Sequence, residues 1–181
     1  MLPEKIIRIA LVGPESSGKT TLCKLLAAHY KTNWVPEYAR EYVGKLNRAY
    51  TADDILLIAQ KQLKTENEIL AKTNKFLFVD TEFIISKIWC EDVFGFCHSW
   101  IEEKIEENKY DLYLLTKPDL PWQNDPVREN PKKRDYFFEL YLKELEKRNF
   151  NYEIISGIGD DRFNNALNAI KKYRQNFSDN L

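Results

Sequence analysis

The sequence predicts an α/β fold of three layers, a five-stranded parallel sheet with helices on both faces and one irregular loop beside it. Two observations carry this expectation. Short β-rich runs alternate with helical stretches along the chain, the pattern of βα units that feed a parallel sheet. The third, fourth and fifth of these runs are almost continuously apolar, as strands covered on both faces must be. With 181 residues, 44% apolar and 13% aromatic, the whole chain, 1–181, fits one domain that buries a full core without staples.

Taken in order, residues 6–12 form the first strand, and the residues that follow read G-x-x-x-x-G-K-[ST] from Gly13 to Thr20. The pattern leads into the apolar helical stretch that begins at Thr21. A glycine-rich loop between a buried strand and a helix is the setting of a phosphate-binding P-loop. In that geometry the backbone N–H groups of Gly13, Glu15, Ser16, Ser17, Gly18 and Thr21, together with the helix N-terminus, cradle phosphates. Lys19 reaches the β/γ-phosphates of a nucleoside triphosphate, and the Thr20 hydroxyl ligates Mg²⁺.

Residues 33–35, closed by Pro36, are a short second strand. Beyond its carboxyl end comes Pro36-Glu37-Tyr38-Ala39-Arg40-Glu41-Tyr42. Ligands of open α/β sheets sit beyond the carboxyl ends of strands, so Glu37 and Arg40 are placed to meet an acceptor opposite the γ-phosphate. A carboxylate there can orient a hydroxyl and accept its proton. The same residues also read as an ordinary capped helix start with an Arg40/Glu41 surface pair.

Thr51-x-x-Asp54 is a capping box ahead of Ile55, Ala59, Leu63 and Leu70, and Ser99-x-x-Glu102 is another ahead of Ile105. Residues 76–80 are the third strand and end in Asp80. An apolar strand that ends in a carboxylate after a P-loop is the Walker B pattern, which places Asp80 on the Mg²⁺ side beside Thr20. Glu82, two residues on, is expected at the same rim. Residues 112–115 and 152–155 are the fourth and fifth strands, and 134–148 and 162–173 are helices, the latter with Phe163, Leu167 and Ile170 on one face.

Four of the seven prolines, Pro118, Pro121, Pro126 and Pro131, fall between the fourth strand and the next helix. That stretch, about 117–134, can be neither helix interior nor central strand. It also carries Trp122, Asp125, Arg128, Lys132, Lys133 and Arg134, a mix suited to a mobile lid over phosphates. Arg128 and Arg134 could compensate the charge of a transferring phosphoryl group from within the chain. Trp34, Tyr38, Tyr42 and Trp122 are candidates to stack a flat ring, and a cationic ring gains most from such faces. Core packing is the competing role for each aromatic taken alone.

Lys+Arg 27 against Asp+Glu 28 gives a net charge of -1, so no global basic field points to nucleic acid or an anionic membrane. Three cysteines, Cys23, Cys90 and Cys97, lack framework spacing and suit a reduced, cytoplasmic setting. Cys90, Cys97 and His98 lack the matching second pair of a zinc site. His29 closes the first helix and reads as a C-terminal capping group. No long uncharged apolar span and no export leader is visible, so the partners expected are small molecules.

Together, GPESSGKTTL, PEYAREYV, FVDTEFI and the PW-x-x-D-x-x-R stretch resemble, in order and spacing, the ribosylnicotinamide kinase domain of NadR-like proteins, a P-loop kinase group of AAA-type ATPase-like families. The resemblance runs from about Ile6 to the last helix. It implies a P-loop kinase fold and ATP-dependent phosphorylation of the ribose 5′-hydroxyl of nicotinamide riboside, with ATP and Mg²⁺ at the site. Carried over by position, the phosphate loop is Gly13 to Thr20, the magnesium-side carboxylate is Asp80, and the lid arginines are Arg128 and Arg134.

Two departures stand beside the resemblance. NadR-like proteins join this kinase to an adenylyltransferase domain and sometimes a DNA-binding helix-turn-helix, whereas here the first strand starts within a few residues of Met1 and neither extra domain is expected. In bifunctional forms an aromatic precedes the glutamate of E-Y-x-R-E; here that place is Pro36, and the nearest tryptophan is Trp34. Two other functions fit the same motifs: a P-loop kinase for another nucleoside or small hydroxyl acceptor, and a non-catalytic ATP-binding switch or ATPase module. Acceptor base, ATP against GTP, and oligomeric state are left open by the residues.

Overall fold

The computed structural model describes residues 5–178. It runs β1 (Ile7–Val12), α1 (Lys19–Tyr30), β2 (Trp34–Val35), α2 (Tyr38–Gly44), α3 (Ala52–Leu70), β3 (Phe76–Asp80), α4 (Phe83–Phe94), α5 (Ser99–Glu107), β4 (Leu112–Thr116), α6 (Arg134–Lys147), β5 (Tyr152–Ile155) and α7 (Asp160–Ser178). The five strands form one parallel sheet in the order β2-β3-β1-β4-β5. In register, Ile9 faces Phe78 on one side and Leu112 on the other. The chain crosses to one side of β1 and then to the other, and the crevice this leaves beyond the carboxyl end of β1 is where the phosphate loop emerges.

Alternation along the strands sorts the core into two layers. Ala10, Val12, Val35, Leu77, Val79, Tyr113 and Leu115 face α3, α4, α5 and α6, where they meet Ile55, Ile84, Ile101 and Phe138. Ile9, Leu11, Phe76, Phe78, Leu112 and Leu114 face α1 and α7, where they meet Leu22, Leu26, Ala166 and Ile170. The parallel strands are therefore apolar on both faces, which is why they read as unbroken runs.

The Thr51 box forms as expected: the Thr51 hydroxyl accepts from Asp54 N–H, and the Asp54 carboxylate accepts from Thr51 N–H at 2.8 Å. The Ser99 box does not form. The residue ahead of α5 is His98, Ser99 is already helical, and the Glu102 carboxylate is drawn instead to Arg148 at 2.8 Å and Lys87 at 3.4 Å. His29 lies in the last turn of α1 with its ring edge-on to Phe163, 5.7 Å between centroids. The turn is closed by Lys31, in the left-handed region at φ 51, through its own backbone N–H.

The helix α2, seven residues from Tyr38, is the helix start that residues 36–42 also read as, though without a side-chain cap. One helix was not legible. The helix α4 is apolar on most of its circumference because α3, α5 and α6 surround it, so no amphipathic stripe marks it. Residues 117–133, between β4 and α6, hold no helix or strand, as the prolines require.

Candidate active site

The phosphate loop turns out of β1 at Gly13, whose φ is +147 and whose missing side chain matters: a Cβ there would stand 2.3 Å from Thr116 Oγ1. Thr116 ends β4, so the glycine lets the loop cross the end of the neighbouring strand. Ser17 is buried, and its hydroxyl is used internally, bonded to Pro14 O and to Thr116 Oγ1 at 2.7 Å each. Its side chain fixes the loop's shape, so a contact to ligand from Ser17 is left to its backbone. Lys19 curls over the loop and donates to Gly13 O at 2.8 Å and Pro14 O at 3.0 Å.

Thr20 and Asp80 meet as the Walker pattern predicts, with Thr20 Oγ1 donating to Asp80 Oδ2 at 2.5 Å. Burial above all, and the Glu37 charge next, push the Asp80 carboxyl up to about 6, against the pull of Lys19, the Thr20 bond and Arg40. Its Oδ1 is buried without a partner. A hard oxygen pair with one orphaned carboxylate oxygen fits a hard cation such as Mg²⁺. Among the described residues no group of three His, Cys, Asp or Glu is placed to hold a metal by itself, so such an ion would share its shell with phosphate oxygens and water.

Glu82 behaves differently from its prediction. It is 3% exposed, does not line the cleft, and both carboxylate oxygens accept from Ile84 N–H as the N-cap of α4, at 3.0 and 2.9 Å. Burial pushes its carboxyl up to about 8. A group committed to a helix end and absent from the cleft lining is a structural cap, so Glu82 does not stand at the rim expected for it.

A cleft of about 730 Å³ runs over the loop. Its lining includes Leu25 of α1, Ile158, Phe163 of α7, and residues of α2, α3, α4 and α6. Glu37 lines it as the residue before α2, with no capping bond to occupy its carboxylate. Gln62 holds that corner, accepting from Tyr38 N–H at 3.0 Å and donating to Asp80 O and Thr81 O at 3.3 Å each. Thr81, at φ 75, is a β-branched residue in the left-handed region, a strained turn that ends β3 beside the cleft.

The proline-rich segment expected to be a lid packs on the loop. Glu15 accepts from Asn130 N–H at 3.0 Å and Glu129 N–H at 3.3 Å, and its burial raises its carboxyl against those bonds. Arg128 donates to Ser16 Oγ at 2.9 Å and to Gln123 O at 2.8 Å. Leu120 sits where a side chain on Gly18 would be. Arg40 pairs with Asp125 of the lid and lies 3.8 Å from Glu37. Arg134 points elsewhere: it donates to Leu120 O at 2.7 Å and does not line the cleft, so it anchors the lid's root.

The four stacking candidates also fall outside the cleft lining. Trp34 faces the α1 side of the sheet beneath Lys24. The Tyr42 hydroxyl donates to Asp54 at 2.7 Å, Tyr38 packs on Tyr42, and the Trp122 indole donates to Asn124 at 2.9 Å. The aromatics that do line it are Tyr50, Trp89, Phe137, Tyr141 and Phe163. The sequence reading also passed over Arg162, 4% exposed, which donates to Gly157 O, Ser17 O and Lys117 O and pairs with Asp119. A signal existed: an arginine in the first turn of a helix opposes the dipole, so it needs a partner from elsewhere.

A parallel sheet in this strand order with a glycine-rich phosphate loop between β1 and α1 defines a P-loop nucleotide-binding domain of the kinase type of fold. The chain belongs to the AAA domain family, whose model matches residues 8–162. It is 29% identical over 171 residues to the trifunctional NAD biosynthesis/regulator protein NadR of Salmonella typhimurium, covering 91% of this chain and 42% of that one. It is 31% identical over 150 residues to NadR of Escherichia coli, covering 80% of this chain and 37% of that one. The chain thus spans less than half the length of these relatives.

Among solved structures, NadR in complex with NR matches with a TM-score of 0.76 at 22% identity, over 93% of this chain and 51% of that one. Thymidylate kinase from Ehrlichia chaffeensis matches with a TM-score of 0.63 at 15% identity, over 93% of this chain and 98% of that one. The expected resemblance to NadR-like proteins and the expected fold are both met. Among the described residues no helix is long and apolar enough to cross a membrane.

Proposed function

We propose that this chain is an ATP-dependent small-molecule kinase that phosphorylates the ribose 5′-hydroxyl of nicotinamide riboside to give nicotinamide mononucleotide and ADP. The observation that carries it is the single cleft shared by the phosphate loop, Glu37 and Arg128. In this reading the triphosphate lies along the loop with its base toward Leu25, Ile158 and Phe163. Glu37 accepts the proton of the acceptor hydroxyl as its oxygen bonds to the γ-phosphorus and the bond to the β–γ bridging oxygen breaks. Lys19 and Arg128 compensate the charge spread over the transferring group. Thr20 and Asp80 would hold Mg²⁺, which when bound neutralises phosphate charge.

What supports catalysis over a passive switch is that the Glu37 carboxylate lines the same cleft as the loop, makes no capping bond and lies 3.8 Å from Arg40. A reduced, cytoplasmic setting suits the three free thiols. The deciding experiment is the purified protein with MgATP and a panel of ribosides, with product masses read directly. Nicotinamide riboside should give a mononucleotide faster than adenosine or a deoxynucleoside under matched conditions. Better use of either of those overturns the acceptor, and ATP hydrolysis with no phosphorylated acceptor overturns the kinase.

A further inference from the structure

We propose that Thr81 is a positioning residue: its hydroxyl, together with Oδ1 of the preceding Asp80, receives the two protons of one water in the shell of the cation that accompanies the triphosphate. The inference rests on the reading of Thr20 and Asp80 as a Mg²⁺ site and deepens it. Four buried side-chain atoms among the described residues lack a hydrogen-bond partner: Arg8 Nε, Asp80 Oδ1, Thr81 Oγ1 and His98 Nε2. Arg8 reaches the Glu66 carboxylate through another nitrogen, and His98 Nε2 stands 3.4 Å from Asp53. The other two atoms belong to consecutive residues at the end of β3, and Thr81 lines the cleft.

Thr81 is kept in this place at a cost. Its φ of 75 puts a β-branched side chain in the left-handed region, a conformation that persists only where the surroundings impose it. They do so through the main chain. Thr81 N–H donates to Leu11 O at 3.4 Å, Gln62 Nε2 donates to Thr81 O at 3.3 Å, and Glu82 caps α4 immediately after. Every polar group of Thr81 is thus engaged except the hydroxyl. Glycine would adopt the same turn without strain, so the turn alone does not call for a threonine.

The chemistry of the two atoms selects the partner. An ionised carboxylate oxygen only accepts, and a hydroxyl oxygen accepts through its lone pairs. A water bound to Mg²⁺ turns its oxygen to the metal and has two protons left to donate, and Mg²⁺ keeps several of its waters when it binds phosphates. Thr20 already takes Asp80 Oδ2 at 2.5 Å, so Oδ1 is the oxygen left for such a water. Both unpaired atoms are shielded from bulk solvent, so their partner arrives with a ligand. The charges of Lys19 in the loop and of Glu37 both act on Asp80, which sets this corner between the loop and the proposed base.

Two variants separate the hydroxyl from the turn: Thr81→Val keeps the branching and removes the hydroxyl, and Thr81→Ser keeps the hydroxyl. Thermal midpoints are measured on the whole chain without ligand, and affinity for the ATP analogue AMP-PNP is measured by calorimetry in EDTA and at saturating Mg²⁺. Without ligand, Thr81→Val should melt at or above the wild type, since it deletes an unpaired buried polar group. In EDTA its affinity should match the wild type, while Mg²⁺ should tighten it less than it tightens the wild type, by about threefold or more, as loss of one hydrogen bond implies. Thr81→Ser should keep the wild-type tightening. A lower midpoint in Thr81→Val makes the hydroxyl structural, equal losses with and without Mg²⁺ put it on the nucleotide itself, and wild-type tightening in Thr81→Val leaves it idle; each result overturns the proposal. AMP-PNP affinity that Mg²⁺ does not change in the wild type overturns the cation reading and the proposal with it.

Discussion

The Thr20 hydroxyl donates a 2.5 Å hydrogen bond to Asp80 Oδ2, which ties the first turn of α1 to the end of β3. The other carboxylate oxygen, Oδ1, is buried with no partner. Asp80 is thus held in place by one oxygen and left unsatisfied at the other, a cost the fold carries where a cation would sit. Asp80→Asn keeps an acceptor for Thr20 and removes the buried charge. It should leave the thermal midpoint unchanged or higher while turnover falls on the order of 10²-fold. Parallel melting and kinase assays across a Mg²⁺ series check this; a large drop in midpoint would make Asp80 a structural residue.

Glu37 precedes α2 without capping it, and its ion pair with Arg40 is a long, part-exposed contact of 3.8 Å that adds little to stability. Glu37→Gln should melt like the wild type and lose turnover by about 10²–10⁴-fold, the range for removal of a general base. It should depress every riboside alike, since the carboxylate works on the hydroxyl. Steady-state kinetics on a panel of ribosides beside melting curves check this; wild-type turnover in a folded variant would assign the base to another group.

The two lid arginines should now behave differently. Arg128 lines the cleft and is latched on Ser16, so Arg128→Ala should lower kcat far more than it raises KM for ATP. Arg134 holds Leu120 O at the root of the lid, so Arg134→Ala should raise KM and speed proteolytic cutting within 117–133. Limited proteolysis with and without nucleotide, beside steady-state kinetics, separates the two. Identical kinetic signatures would show that both act in one role.

Most of the frame was readable because each device is local. The loop, the Walker carboxylate and the proline-rich lid each occupy a few consecutive residues, and all five strands lie within a residue of where apolar runs put them. What escaped was set by distance. Trp34 and Val35 are neighbours on a strand, and alternation sends Trp34 to the α1 face and Val35 to the α3 face, so adjacency to Glu37 did not put Trp34 in the cleft. Tyr50, Trp89 and Arg162 reach the cleft only through crossings of the sheet. Glu82 looked like a rim carboxylate because nothing in the sequence announced α4, whose N-terminus claims it.

Glu82 gives a pH-dependent signature of stability. Its carboxyl is pushed up to about 8 from an ordinary 4.5, with burial the main cause. Between those values the folded chain keeps this proton while the unfolded chain has lost it. The contribution is therefore fully present below about pH 4.5 and is lost as pH rises through about 8. Glu82→Gln, which keeps an oxygen for Ile84 N–H, should flatten the fall in thermal midpoint between pH 5 and 8 and should keep its turnover. Melting curves at stepped pH check the first point. A variant with the wild-type slope, or one without activity, would return Glu82 to the chemistry.

Arg162 closes the argument because one side chain holds three segments. From the first turn of α7 its guanidinium reaches Ser17 O at 3.1 Å in the phosphate loop, Lys117 O at 3.1 Å after β4, and Gly157 O at 2.8 Å after β5, and it pairs with Asp119. Burial pulls its guanidinium down from the ordinary value and Asp119 opposes that, yet an arginine stays charged. Arg162→Met would leave Asp119, 32% exposed, with the Gly157 N–H bond at 2.8 Å but without its guanidinium, and would remove the Arg162 donors to three carbonyls. The expected loss is about 2–4 kcal/mol in urea unfolding. Arg162→Lys should recover little of it, because a single ammonium cannot span a planar fork. KM for ATP should rise in both variants, since the loop and the wall at Ile158 lose their shared anchor. Full stability in Arg162→Lys would show that charge alone, and not the fork, organises this end of the cleft.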